Sequence, residues 1–377
     1  MLSRMKFEIQ TVVADILDQL PDTVWTSTTT TFFDPAIGGG QFVCAIEQRL
    51  RSHGHSDANI RKRVFGFEES NLHIRYALNK YKLVGQYSRK PYEKFLELDN
   101  SMKFDVVIGN PPYQKPKSDN RMGSRGASEL WAEFVNKGLS ILKDNGHFAF
   151  IHPNAWRKPE DRNNFWKLLT QDNQMEKLVM SSGKGDQDWF GIGVRVDYYI
   201  LQKKAKYKNT MVVDHEGVTH DLDLANFDWL PNYAIDEIAQ LLGKGTSVLY
   251  NTFYHTQKDH SDVPTKDFKY PVVHTINKSV LGIKYFDKLQ ENDTTHYGVA
   301  KVLLNQNELQ YPYNDFKGEY GMSQLTFGIP ISSEKEGEEI VQFLNSDKGK
   351  RLIAATKWNT YYTDYGMFKS FKKDWYK

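Results

Sequence analysis

Cysteine is almost missing from these 377 residues: Cys44 stands alone. That excludes a disulfide framework and a cysteine-based zinc site, and the expected setting is reducing and cytoplasmic. Long apolar runs are missing too. No window approaches the roughly 18 uninterrupted apolar residues of a membrane span. The opening MLSRMKFEIQ lacks the apolar core of a signal peptide, so no membrane partner is expected. Net charge is small, 49 Lys and Arg against 47 Asp and Glu for a formal +2. A polyanion binder with this balance must concentrate its positive charge locally. The paired histidines, His53/His55 and His255/His260, have no carboxylate or cysteine partner at ligand spacing, so no metal is expected. Cys44 falls within a helical pattern and reads as buried packing.

What is present is a composition of 40% hydrophobic and 25% charged residues, that of a soluble globular protein. The length exceeds one ordinary core, and two domains are expected. Up to about residue 205, strand-like and helix-like segments alternate. A helix is expected over 5–20, with Phe7, Val12, Ile16 and Leu20 at helical spacing and Pro21 ending it. Strands are expected over 26–33, 64–67, 94–98 (the weakest), 104–108, 147–151, 176–180 and 194–202, the last alternating as an edge strand does. Helices are expected over 70–80, 129–142 (stopped by Asn145-Gly146) and 163–169. This alternation predicts an α/β fold, a Rossmann-like doubly wound and mostly parallel sheet. Beyond about 215 the pattern breaks into a mixed α+β region with one clear helix, 333–345. The boundary is expected within 205–245, giving domains 1–215 and 216–377.

The chain is organised around Phe104–Tyr113, FDVVIGNPPY. Phe104 to Ile108 is apolar and β-branched, the composition of a strand buried on both faces. Pro111 and Pro112 lack amide donors and end the ladder abruptly. A rigid tetrapeptide at the carboxyl end of a parallel strand sits where open α/β sheets bind ligands. It offers one carboxamide and one phenol, without acid, base or thiol. Upstream, the strand over 26–33 runs into Asp34-Pro35-Ala36-Ile37-Gly38-Gly39-Gly40-Gln41-Phe42 and then a helical pattern. Glycines there let a backbone approach a ligand closely. No Lys-Ser/Thr follows them, so this is not a phosphate-cradling loop, and the spacing is not G-x-G-x-x-G. Glu68 closes the second strand, where such folds hold ribose hydroxyls. Two polar loops flank the site: 114–127, and the glycine-rich 183–193 with Trp189 and Phe190.

These motifs resemble the gamma group of S-adenosylmethionine-dependent DNA adenine methyltransferases, in which a cofactor motif precedes NPPY and a recognition domain follows. DPAIGGGQF, GFEES, FDVVIGNPPY and ELWAEFVNKGLSILKDNGHFAFIHPNAW carry the likeness over 30–205, and layout carries it beyond. The resemblance implies S-adenosyl-L-methionine as cofactor. Asp34, Pro35, Ala36, Gly38, Gly40 and Phe42 would hold its methionine part, Glu68 its ribose and Phe134 its adenine. Asn110 and the Pro111 carbonyl would accept from the target amine, Pro112 would stiffen the turn, and Tyr113 would stack on the base. Phe190 is the implied second aromatic of that sandwich, with Trp189 competing. One departure stands out: the family's acid toward the cofactor's adenine amine is replaced by Lys94, with Glu97 and Asp99 nearby.

Physical chemistry agrees with those roles. An exocyclic amine is a poor nucleophile because its lone pair is delocalised into the ring, and two fixed acceptors localise density on nitrogen. A base inside a duplex is out of reach and has to be turned out and stacked. The implied partner is double-stranded DNA, acted on by a cytoplasmic monomer of bacterial or phage origin, with any cognate restriction endonuclease a separate protein. No fused nuclease domain is expected. Lysines interleave with aromatics in 274–288 and 357–377, which suits phosphate contact. RNA adenine, cytosine N4 and a protein glutamine amide remain open as alternative acceptors of the same chemistry.

Overall fold

The computed structural model describes residues 2–115, 129–159, 164–181, 195–243, 245–250, 260–277, 280–287, 295–306, 311–358 and 365–377. The chain divides into two compact units, Met1–Trp156 with Asp161–Asp228, and Arg157–Glu160 with Trp229–Lys377. Among the described residues, no helix is long and apolar enough to cross a membrane.

In the first unit, α1 (Leu2–Asp18) and α2 (Asp22–Thr26) precede β1 (Phe32–Asp34). The strand expected over 26–33 is therefore only three residues long. Threonine's extended preference loses to a local turn, in which Ser27 Oγ accepts from the amides of Thr29 and Thr30. Next come α3 (Gln41–Ser52), α4 (Asp57–Arg61), β2 (Val64–Glu68) and α5 (Asn71–Tyr81). β3 is Gln86–Arg89, and the stretch 94–98 lies instead in and after helix α6 (Tyr92–Leu96), which turns Phe95 into the core. β4 (Phe104–Gly109) is buried at every position but Asp105.

Helix α7 (Leu130–Ser140) stops before the expected Asn145-Gly146, which β5 (Leu142–Pro153) absorbs as a bulge. Phe104 faces Leu142 there while Val106 already faces His147. Then follow α8 (Phe165–Thr170), β6 (Gln174–Met180), β7 (Val196–Gln202), β8 (Thr210–Val213) and β9 (Thr219–Leu222). The expected boundary at 215/216 falls in the β8–β9 hairpin, where Asp214 Oδ1 accepts from the amides of Glu216 and Val218.

These nine strands form one sheet in the order β3-β2-β1-β4-β5-β7-β6-β8-β9. β3 through β5 are parallel. β7 runs antiparallel to both β5 and β6 and is buried except at its last residue, so it is a central strand and not the expected edge. From β1 the chain steps outward to β2 and β3, then returns past β1 to β4. That reversal opens a crevice at the carboxyl ends of β1 and β4. One face of the sheet packs Val12, Ile16, Trp25, Phe42 and Ile46 onto Phe32, Val106, Ile108 and Ile151. On the other, Phe33 stacks on Phe104 at 4.7 Å and on Phe95 at 5.9 Å, and Phe95 meets Phe134 at 4.7 Å.

The second unit holds α9 (Ile235–Ala239), β10 (Leu249–Tyr250), β11 (Tyr270–Asn277), β12 (Val280–Phe286), β13 (Lys301–Asn305), β14 (Tyr313–Asp315), β15 (Gly321–Met322) and β16 (Thr326–Pro330). Helices α10 (Glu334–Asn345), α11 (Asp347–Ala355) and α12 (Gly366–Lys369) close it. The sheet β10-β16-β13-β14 packs Val302, Leu304, Phe327 and Ile329 against Ile340 and Leu344 of α10. Trp358, Phe368, Phe371 and Trp375 fill the same core. Among the described residues, the aromatics that made 357–377 look like a nucleic-acid surface are thus packing residues. β12-β11-β15 form a separate small sheet.

Candidate functional site

The crevice between β1 and β4 brings the two motifs into contact. Asp34 ends β1 and is 1% exposed; its Oδ1 accepts from the Ala36 amide at 2.9 Å. Its Oδ2 is buried and has no partner among the described residues. Burial pushes the carboxyl up to about 7, the Ala36 amide opposing and the Glu68 carboxylate adding. Gly109, the last residue of β4, lies directly against this carboxylate: a Cβ there would come within 2.9 Å of Asp34 Oδ1. Glycine is required at that position by the close approach. Asn110 follows it immediately, so the strand that carries the carboxamide is seated on the cofactor-type motif.

The glycine turn leaves β1 with Gly38 at φ +54° and Gly40 at φ +85°, both left-handed. Gly40 begins α3 and lies so close to α5 that a Cβ would fall 2.7 Å from Ala77 Cβ. Two bonds hold the turn: the Ile37 amide donates to Phe67 O at 3.0 Å, and the Gly38 amide to Glu68 Oε2 at 2.8 Å. The other Glu68 oxygen accepts from the Ser70 amide at 2.8 Å, with His73 Nδ1 3.4 Å away. Two carboxylate oxygens have about four acceptor positions, so both retain capacity.

A cavity of about 160 Å³ opens between the turn and β4, lined by Ala36, Gly38, Gly39, Phe42 and Asn110 and walled by α1. The Asn110 Oδ1 is buried there without a partner among the described residues; the Tyr113 hydroxyl is also buried and without a partner among them, on a side chain packed against the core of the first unit. Burial pushes the Tyr113 phenol well above its ordinary range, opposed by the Asn110 amide beside it. Pro111 is buried and Pro112 exposed. Unsatisfied buried acceptors cost roughly 1–3 kcal/mol each. Two of them, Asn110 Oδ1 and Asp34 Oδ2, belong to this one crevice.

The structure thus gathers Asp34, Pro35, Ala36, Gly38, Gly40, Phe42, Glu68, Asn110 and Tyr113 about one crevice. Phe134 is fully buried on Phe95 and presents no free ring face. Phe190, Trp189 and most of the 114–127 loop lie outside the described residues. Lys94 sits in α6, paired with Glu97 at 2.6 Å, and so is not the residue that follows the third strand. β3 ends at Arg89, and 86–90 contains no acid, so the departure from the family pattern persists at a different position. Sequence reasoning assigned no site role to Val12, Val13, Gln41 and Ile151, which line the cavity, or to Gly109. The α1 valines gave no signal beyond an apolar stripe; the glycine before NPPY was a readable sign of close approach.

The model of the Eco57I restriction-modification methylase family matches residues 48–186. The type II restriction enzyme and methyltransferase RM.Eco57I of Escherichia coli is 22% identical over 250 residues, 62% of this chain and 22% of that protein. Modification methylase CviBIII of Paramecium bursaria Chlorella virus NC1A is 45% identical over 58 residues, 14% of this chain and 15% of its own length. The type IIL restriction-modification enzyme MmeI, solved in complex with DNA, shares the fold with a TM-score of 0.55 at 13% identity, over 98% of this chain and 65% of its own. The chain spans less than a quarter of the length of either curated relative. The stretch that matches this family model, residues 48–186, contains Glu68 and the β4 strand with its NPPY turn.

Proposed function

We propose that the chain methylates DNA, moving a methyl group from S-adenosylmethionine to the N6 amine of an adenine turned out of the duplex. The observation that carries this reading is the buried, partnerless Asn110 Oδ1 on the wall of the glycine-turn cavity, one residue from the glycine that seats Asp34. The residues fit the cofactor chemically. Asp34 Oδ2 is a buried acceptor suited to a cationic amine, and the Glu68 oxygens keep acceptor positions for ribose hydroxyls. The cofactor, when bound, supplies a methyl group on a sulfonium.

The chain's own residues then have an orienting task. Asn110 Oδ1 and the Pro111 carbonyl accept from the two protons of the target amine, which places its nitrogen and concentrates density there. The two prolines keep this pair rigid, so little reorganisation accompanies reaction. Tyr113 supplies a ring face for the extruded base, and Phe190 a second face. No general base is required, because the product's proton leaves to water after transfer. The second unit, built on a mixed α+β plan, selects the target sequence.

The test is to express the gene in a host lacking adenine and cytosine methylation and to sequence its DNA with modified-base detection. N6-methyladenine within one sequence motif is expected. Asn110→Ala should abolish the mark while leaving cofactor affinity within a few-fold, and Tyr113→Phe should retain far more activity than Tyr113→Ala. N4-methylcytosine, or an unmodified genome with methyl transfer to RNA or protein, would overturn the adenine reading. Equal loss of transfer and cofactor binding in Asn110→Ala would make Asn110 structural.

A further inference from the structure

We infer that the antiparallel ribbon β11–β12 is the element that reads DNA sequence, entering the major groove with Thr275, Asn277 and Val280. This rests on the DNA-directed reading above and adds to it the surface and the residues that recognise the base edges. The ribbon is eight residues on one strand and seven on the other, and it presents one face to the core and one outward. Inward, Val273 and Ile276 are buried with Leu303 and Met322, and Leu281 packs against them.

Val273 and Ile276 are an odd number of residues apart and in a regular strand would point to opposite faces. A bulge at His274 restores the phase: Val273 faces Ile283, whereas Thr275 faces Gly282. The consequence is that Thr275 and Asn277 both point outward, and Val280, opposite Asn277, shares their face at 68% exposure. Gly282 keeps that face low. A Cβ there would fall 2.4 Å from Thr275 Oγ1.

The base of the ribbon is held rigidly. Asn305 Oδ1 accepts from the Ile276 amide at 2.9 Å and its Nδ2 donates to Ile276 O at 2.5 Å, while His274 Nδ1 meets Ser323 Oγ at 3.1 Å. A positioned, exposed carboxamide, hydroxyl and branched methyl pair on one face match what base edges offer. Asn reads adenine N6/N7, Thr contacts either donor or acceptor, and an apolar group packs on the thymine methyl. The Asn277 side chain is exposed.

Charge selects the occupant. Strands β11 and β12 themselves carry Lys284 and no carboxylate, with Lys269 just before β11; Lys278 lies between the strands in sequence, outside the described residues, and Asp267 and Asp287 flank them. Lys284 is shared with Asp262 outside the ribbon. The other lysine-aromatic stretch, 357–377, commits its described aromatics to the core. A two-stranded ribbon fits the roughly 12 Å width of the B-DNA major groove, whereas the major groove of duplex RNA is too narrow for it.

The experiment maps the methylated motif in cells for wild type, Thr275→Ala, Asn277→Ala and Val280→Ala, and measures KM for DNA and cofactor affinity on the purified full chains. At least one variant should relax one or two motif positions or raise KM for DNA about tenfold or more. Cofactor affinity should stay within twofold and the melting temperature should be unchanged. A second variant at each site, Thr275→Ser, Asn277→Gln and Val280→Thr, should give a changed preference and not a uniform loss. If wild type methylates a motif and all six variants keep that motif and KM within twofold, the ribbon assignment falls and the function stands. If wild type modifies no DNA, the functional reading falls and takes the ribbon with it.

Discussion

With Asp34 in the cofactor role proposed above, cofactor binding should depend on pH. The Asp34 carboxyl is raised from 3.8 to about 7, chiefly by burial. At 1.36 kcal/mol per unit the difference is about 4 kcal/mol. The folded state keeps a proton that the unfolded chain has lost, so this stabilisation is fully present below pH 3.8 and is lost as pH rises through about 7. A cationic group of the cofactor against Oδ2 favours only the ionised form. Binding therefore expels the proton, and cofactor affinity should rise about tenfold per pH unit from about 5 to 7, then level off. The ligand's own α-amine, ordinarily near 7.7–8.0, sets the alkaline limit. Calorimetry at pH 6 in two buffers of different ionisation enthalpy should count about 0.9 proton released per cofactor bound. Asp34→Asn should release none, bind more weakly, and be more stable at pH 8 by up to about 4 kcal/mol, because an amide carries no charge to bury. A proton count near zero in wild type, or an undiminished count in Asp34→Asn, would refute the coupling.

Gly109→Ala would drive a methyl group to 2.9 Å from Asp34 Oδ1, and that carboxylate is too buried to step aside. We expect destabilisation of about 1–3 kcal/mol with cofactor affinity falling more than tenfold; unchanged values in thermal unfolding and titration would mean that Asp34 moves freely. His152 works against Asp34. It is fully buried, stacked at 4.3 Å on Trp131, and held by Pro153 O and the Tyr199 hydroxyl, both at 3.0 Å. Burial lowers it from 6.5 to about 4, so its stabilisation is present above pH 6.5 and lost as pH falls to about 4, about 3 kcal/mol in all. Over that window the two groups nearly cancel. Denaturant unfolding of Asp34→Asn between pH 6.5 and 4 should fall off more steeply than wild type, and an identical slope would show that one of the two groups does not titrate as described.

The candidate site was legible because its signals are local. Two prolines end a strand whatever surrounds it, and the glycine turn needs left-handed backbone at Gly38 and Gly40. Where tertiary context decided, the sequence misled. Gln86–Arg89 is an edge strand with only Tyr87 half-buried, so it carries no alternation to detect, while Phe95 lent strand character to what is a helix. In β7, alternation suggested an edge, yet helices and neighbouring strands bury both faces. The run of threonines read as a strand because propensity does not register that Ser27 can hydrogen-bond the backbone first.

The same distinction separates the two lysine-aromatic stretches. In 357–377 the aromatics recur at helical and turn spacings, and Phe368, Phe371 and Trp375 converge on a single core. In 274–288 a one-residue bulge gives the described residues one apolar and one polar face. Composition counts lysines and rings alike in both stretches, but only backbone phase decides which rings water can reach. The sequence therefore offered both stretches as candidates for phosphate contact and could not choose between them. What separates them is the register shift at His274, which gives 274–277 a polar outer face and exists only once β11 has paired with β12.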